Sequence, residues 1–195
     1  MVKLWIAWDA AKPACETITV SGRFPRDRKW VSIRRKLYIM DTSARCLVLA
    51  CGNTLRSDDG VGPKLAEWAA ERFQKDSKVR VVARLQWTPD LAADIAGVDS
   101  VLFVDSSVDS VPGRVSLTAV PSNRGNGDAA SHHLQAHELL GLTRSLYGSI
   151  ASHAMLLTVG ASSTELGENL SDRVEAALPR AQGVLEKAVL RFIEN

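Results

Sequence analysis

The side chains best able to do chemistry in this chain are acids and histidines that fall beside turns. Asp58 and Asp59 stand together between a Gly52-Asn53 break and Gly60-Val61-Gly62. Asp105 ends the apolar run Phe103-Val104, and Ser131-His132-His133 opens a helical pattern after a long polar stretch. Two carboxylates and an imidazole converging on one crevice suit a hard-to-borderline cation, with open positions for substrate or water. A phosphate does not fit: the chain has no Gly-x-x-x-x-Gly-Lys-[Ser/Thr] loop here, and carboxylates would repel it. Each residue alone has a plainer reading, the acids as caps or turn residues and His132 as a loop or cap histidine. One helix start needs only one capping side chain, however, so the adjacent acids exceed what capping requires. Their joint arrangement points to a site. Cys51 adjoins it, but nothing in the sequence fixes an activating base beside that thiol, and a small buried cysteine at a strand end is expected.

The elements that must carry these residues alternate between strand and helix. Residues 46–50 read as a strand buried on both faces, followed by a helix over 63–74 whose Leu65, Trp68, Ala69 and Phe73 recur at helical spacing. Strands are expected at 79–85, 100–104, 114–120 and 154–159. Thr88-Pro89-Asp90 reads as a helix entry with Thr88 as cap and Pro89 in the first position. Further helices are expected over 134–147 and from after Ser171 to about 193, the last with Val174, Leu178, Ala181, Leu185, Ala188 and Phe192 as its buried stripe. Pro179 should kink that helix or mark a late first turn. The polar stretch 121–130 is long enough for a substrate-binding loop. This alternation predicts an α/β, three-layer sandwich: a mostly parallel twisted sheet of about five strands with helices on both faces. In such sheets the loops after the strands hold ligands, which is where the acids fall.

The segment Gly52-Asn53-Thr54-Leu55-Arg56-Ser57-Asp58-Asp59-Gly60-Val61-Gly62 resembles the signature of the hydrogenase maturation proteases, Gly-Asn-x-Leu-x-x-Asp-[Asp/Glu]-Gly-x-Gly. These endopeptidases trim the C-terminus of the nickel-iron hydrogenase large subunit. The resemblance runs from about Arg45 to the C-terminus, and Glu165-Leu-Gly-Glu-Asn-Leu-Ser171 is similar to the family's segment before its last helix. It implies Asp59, Asp105 and His132 as metal ligands, with Asp59 and Asp105 also as the catalytic acids. His133 is the alternative ligand; His132 is preferred because it directly follows Ser131. Asp58 and Asn53 are expected to sit behind the ligands and orient the loop. His137 and His153 receive no role. The metal implied is nickel, supplied by the hydrogenase precursor rather than held by the isolated protein. One departure is Val159-Gly-Ala-Ser162, where many relatives have an Ile-Glu-Pro-like run; it leaves the substrate-facing surface there open. Two other functions compete: a non-catalytic nickel-binding accessory protein, and another metal-assisted or peptidyl-transfer-RNA-type hydrolase on a similar sheet.

Charge separates the first 39 residues from the rest. They carry nine basic and three acidic side chains, a net +6, so a whole-chain net of +2 leaves residues 40–195 at −4. That mildly acidic body gives no reason to expect nucleic acid as a partner. The basic segment could be a polybasic arm, a β-rich appendage with strands at 17–20 and 30–33, or a misassigned start preceding Met40. The last is favoured, giving an N-terminal extension over 1–39 and a protease domain over 40–195. No apolar run approaches the ~18 residues of a membrane span, so no membrane partner is expected. Three cysteines without a CxxC spacing fit a reduced, cytoplasmic setting. The expected partner is the large-subunit precursor, met by a monomer.

Overall fold

In the computed structural model, residues 17–18, 35–36, 44–121, 134–148 and 150–194 are described. The chain divides into two units, Met1–Asp41 and Thr42–Asn195. The described part of the first is a pair of short antiparallel strands, β1 (Thr17–Ile18) and β2 (Arg35–Lys36), with Thr17 opposite Lys36. The strand expected at 30–33 lies outside the described residues.

The second unit runs β3 (Cys46–Cys51), α1 (Val61–Arg72), β4 (Val79–Arg84), α2 (Leu91–Ala96), β5 (Ser100–Ser107), β6 (Val115–Ala119), α3 (Ala136–Tyr147), β7 (His153–Gly160) and α4 (Asp172–Glu194). Its five strands lie in the order β4-β3-β5-β7-β6. All pairs are parallel except β6 with β7. The expected α/β fold with a mostly parallel sheet and helices on both faces is therefore present.

Strand alternation sorts the core into two halves. Cys46, Val48 and Ala50 of β3 pack with Leu102 and Val104 of β5 beneath α1 and α4. Leu47, Leu49 and Cys51 pack with Val101 and Phe103 beneath α2 and α3. Successive side chains of a strand point to opposite faces, so a run that is apolar at every position fills both halves, and all six β3 residues are buried. In α4 the expected stripe is buried throughout, from Val174 to Phe192. Each of its Val, Leu and Phe side chains contributes roughly 1.5–3 kcal/mol of transfer free energy. The same alternation places Asp105 on the face of Phe103 and Cys51, toward α2 and α3.

Several boundaries differ from expectation for identifiable reasons. The first helix starts at Val61, after a 3-10 turn over Ser57–Gly60. Pro63 is thus its third residue, still within the turn whose N–H groups have no partner inside the helix. Thr88 is not a side-chain cap: its carbonyl accepts from Leu91 N–H, and the residue flanking α2 is Asp90. β5 continues past Val104 to Ser107 because Asp105, Ser106 and Ser107 pair with Thr158, Val159 and Gly160 of β7. Helix α4 runs through Pro179 without interruption. Among the described residues no helix is long and apolar enough to cross a membrane.

Candidate active site

From β3 the chain passes through α1 to β4 on one side of β3, then through α2 to β5 on the other. The C-terminal ends of β3 and β5 therefore flank the point where the connections diverge, where open α/β sheets hold ligands. A cleft of about 1270 Å³ opens there, with Asp59, Asp105, Ser106, Asn53, Trp87 and His137 among its lining residues.

The loop after β3 is built to present one carboxylate. Gly52 has φ +139°, and a Cβ on it would overlap the Asp59 carbonyl oxygen. A Cβ on Gly62 would likewise overlap the Cys51 carbonyl, so α1 approaches the strand end as closely as it does only with glycine there. The Asn53 side chain closes a local turn by accepting from Leu55 N–H at 2.9 Å. Its backbone N–H donates to Asp59 Oδ2 at 2.8 Å, so the contact of Asn53 with this acid is made by its main chain. Ser106 Oγ donates to Asp59 Oδ1 at 3.0 Å.

Asp58 plays a different part. It is fully buried and accepts from Ser171 N (2.6 Å), Ser162 N (2.7 Å), Ser171 Oγ (2.9 Å) and Ser163 N (3.1 Å). Burial alone would raise its pKa, but the Ser171, Ser162 and Ser163 N–H groups and the Ser171 hydroxyl outweigh this and lower it. Asp58 staples the loop after β3 to the segment between β7 and α4. Backbone bonds complete the seam: Ser57 N–H to Gly167 O at 2.7 Å, Gly167 N–H to Leu55 O at 3.0 Å, and Asp58 N–H to Ser163 O at 3.1 Å.

Asp105 reaches the cleft from the end of β5. Its Oδ1 accepts from Ser106 N–H at 2.8 Å, so Ser106 touches both acids. Sequence reasoning missed Ser106; the only signal was its place directly after Asp105. Burial raises the Asp105 pKa to about 6, opposed by hydrogen bonds from Cys51 and Ser106 N–H and reinforced by the charge of Asp59. Burial, and then Asp105 and Asp59, push the Cys51 thiol up. It stays protonated as a donor to Asp105 and is no nucleophile at neutral pH.

The structure thus brings Asp59 and Asp105 to one cleft, with Asn53 supporting the first. His132 and its alternative His133 lie outside the described residues, as does most of the polar stretch before them. Of the histidines without an assigned role, His137 lines the cleft from the first turn of α3. His153 stacks on Phe192 at 6.2 Å instead. Among the described residues no group of three or more His, Cys, Asp or Glu side chains could hold a metal ion. The described site supplies two carboxylates, so a metal would need a further ligand from elsewhere.

No protein-family model and no curated protein matches the chain. Solved structures do. The hydrogenase maturating endopeptidase HybD from E. coli superposes with a TM-score of 0.62 at 26% identity, over 75% of this chain and 93% of that one. The hydrogenase 2 maturation peptidase of a Thaumarchaeota archaeon gives 0.55 at 26% identity, over 74% and 97%. An endopeptidase from Escherichia coli gives 0.58 at 26%, over 72% and 89%. In its signature segment and in its fold, across nearly the full length of the first two structures, this chain resembles the hydrogenase maturation protease family.

Proposed function

We propose that the protein is a processing endopeptidase that removes a C-terminal peptide from the nickel-loaded large-subunit precursor of a nickel-iron hydrogenase. The observation that carries this reading is the pair Asp59 and Asp105, set on one cleft at the sheet's switch point and joined through Ser106. Similar structures named as hydrogenase maturation peptidases support it. The nickel is part of the substrate. Asp59 and Asp105 bind it together with His132, or His133 in its place. Leu134 and Gln135, which follow the histidine pair in the chain, line the same cleft, and this supports the assignment.

Hydrolysis then needs a water to lose a proton while it attacks the scissile carbonyl. An ionised Asp105 suits either task open to it, ligating the metal or accepting that proton. With its pKa raised to about 6, it is ionised at neutral pH yet basic enough to take a proton. Processing should therefore fall as the pH is lowered through about 6.

The test is to incubate purified protein with nickel-loaded precursor and follow the loss of the C-terminal peptide by mass spectrometry. The wild type should cut once, and Asp59→Ala and Asp105→Ala should not cut while keeping their circular dichroism. Cleavage by either variant at the wild-type rate removes that acid from the mechanism. Binding without cleavage by the wild type would leave the accessory-protein reading in its place.

A further inference from the structure

Asp59 and Asp105 come to the cleft from elements on opposite faces of the sheet. Asp105 shares the face of Phe103, toward α2 and α3, whereas Val104 and, by strand alternation, Ser106 face α1 and α4. Asp59 belongs to the 3-10 turn that leads into α1. The start of α1 lies close over the end of β5, since a Cβ on Gly62 would stand 3.4 Å from the Val104 carbonyl oxygen. Ser106 therefore sits between the two acids. Its backbone N–H donates to Asp105 Oδ1 at 2.8 Å and its hydroxyl to Asp59 Oδ1 at 3.0 Å. Among the described residues it alone hydrogen-bonds both carboxylates.

The two contacts differ in kind. The bond to Asp105 is made by the main chain, and any residue except proline would supply it. The bond to Asp59 depends on the side chain and joins segments 47 residues apart. The terminal torsion of an Asp side chain is broad, so nothing within the residue fixes how its two oxygens are turned. The Asn53 N–H holds Asp59 Oδ2 at 2.8 Å, which by itself lets the other oxygen swing. The Ser106 hydroxyl on Oδ1 makes the hold two-pointed. Groups that act on a substrate must stand within about 0.5 Å and 10–20° of the productive geometry. Partners that orient a metal-binding group accordingly matter by roughly 10–100-fold in affinity or activity.

We propose that Ser106 is a positioning residue for this site: its hydroxyl turns the Asp59 carboxylate to a fixed angle against Asp105, so that the two acids receive the substrate's cation as one pre-arranged pair. The side chain acts through Asp59 and takes no part in making or breaking bonds. The plainer reading is that the hydroxyl only satisfies itself. Asp59 lines an open cleft, and on that reading a water would take the hydroxyl's place on Oδ1 without consequence. A water is not tied to Asp105, however, whereas Ser106 fixes both carboxylates from one residue of β5. The inference rests on the peptidase reading for the identity of the substrate; the link between the acids does not depend on that reading.

Ser106→Ala removes the hydroxyl and keeps the N–H bond to Asp105. Ser106→Thr keeps both groups, and a β-branched residue suits a strand. Each variant is followed by thermal unfolding, by calorimetric titration with nickel(II) alone, and by kcat and KM on nickel-loaded precursor. Ser106→Ala should lower nickel affinity and kcat/KM about tenfold or more, and Ser106→Thr should recover both to within about threefold. The Tm of both variants should stay within about 3 °C of the wild type, whereas a merely structural role would lower Tm together with activity. Nickel affinity and kcat/KM of Ser106→Ala within about twofold of the wild type overturn the proposal. So does a loss that Ser106→Thr does not recover. If the free metal binds too weakly to titrate, kcat/KM alone decides. If the wild type binds nickel but never cuts, the peptidase reading fails by itself, and the nickel affinities of the two variants still decide the role of Ser106. A wild type that neither binds nickel(II) nor cuts overturns both.

Discussion

Replacing Asp105 by Asn should stabilise the protein, and only above a definite pH. Burial first, and the neighbouring charge of Asp59 to a lesser degree, raise this carboxyl from 3.8 to about 6. The folded state therefore holds a proton that the unfolded chain releases at lower pH. The stability this gives is complete below the unfolded value near 3.8 and is lost as the pH rises toward about 6. Above that the ionised carboxylate is carried at a cost. At about 1.4 kcal/mol per pKa unit, the cost comes to ~3 kcal/mol. Asparagine removes it while its carbonyl can still accept from Ser106 N–H and the Cys51 thiol. For a domain of this size ~3 kcal/mol corresponds to a rise in Tm of about 6–12 °C. Thermal unfolding followed by circular dichroism at pH 4, 6 and 8 checks this. The gap between Asp105→Asn and wild type should be near zero at pH 4 and full at pH 8. A gap independent of pH, or a variant less stable at pH 8, would refute the account of burial at this site.

Three further outcomes are expected. Asp58→Ala leaves the Ser162, Ser163 and Ser171 N–H groups without their acceptor and should cost about 3 kcal/mol or more in urea unfolding; a cost below 1 kcal/mol would mean that water replaces the staple. A chain starting at Met40 should fold with an unchanged Tm and process precursor at the full rate, and a marked fall in either would show that residues 1–39 contribute. In cadmium titrations, affinity should weaken from about pH 8 to about pH 6 as the imidazole gains its proton. His132→Ala should lower affinity and remove part of that dependence, leaving the part due to Asp105. If His133→Ala were the damaging change instead, the ligand would be the second histidine of the pair.

The elements of the sheet were legible because β3, β5 and the α4 stripe are apolar at the spacing that burial demands. Asp105 stood out because it ends such a run directly, and Asp59 because it is one of two adjacent acids in the glycine-bounded loop after β3. The order of the strands was not: no local pattern states that β5 lies beside β3 or that β6 turns antiparallel on β7. β5 outlasts its apolar run because a neighbouring strand pairs with Asp105, Ser106 and Ser107, and pairing is a property of two segments at once. The burial of Asp58 was hidden for the same reason, since its partners are 104 to 113 residues away. Asp58 was expected behind the ligands, orienting the loop; its hydrogen bonds run to the β7–α4 segment and not to Asp59. Thr88 misled because a Thr-Pro pair before an apolar run is a sound capping pattern, and here backbone turns close that entry instead.

The signature separates into one carboxylate that lines the cleft, Asp59, and several residues that fix where it stands. Gly52 and Gly62 allow backbone approaches that any side chain would block. Asn53 closes the turn with its side chain and binds Asp59 with its main chain. Asp58 ties the loop to the segment before α4 from the other side. Asp59 is thereby held from both directions, and among the described residues each of its oxygens takes one protein hydrogen bond, from Asn53 N–H and from Ser106 Oγ. A carboxylate offers about four acceptor positions, so about two remain for a cation or a polarised water. Because its two bonded positions are already fixed, Asp59 need not reorganise when a charge arrives, and this is the condition under which an electrostatic site works best. The tolerance of this arrangement for substitution should follow the same division. Changes at the glycines and at Asp58 should appear as lost stability, and changes at Asp59 as lost chemistry in a protein that still folds.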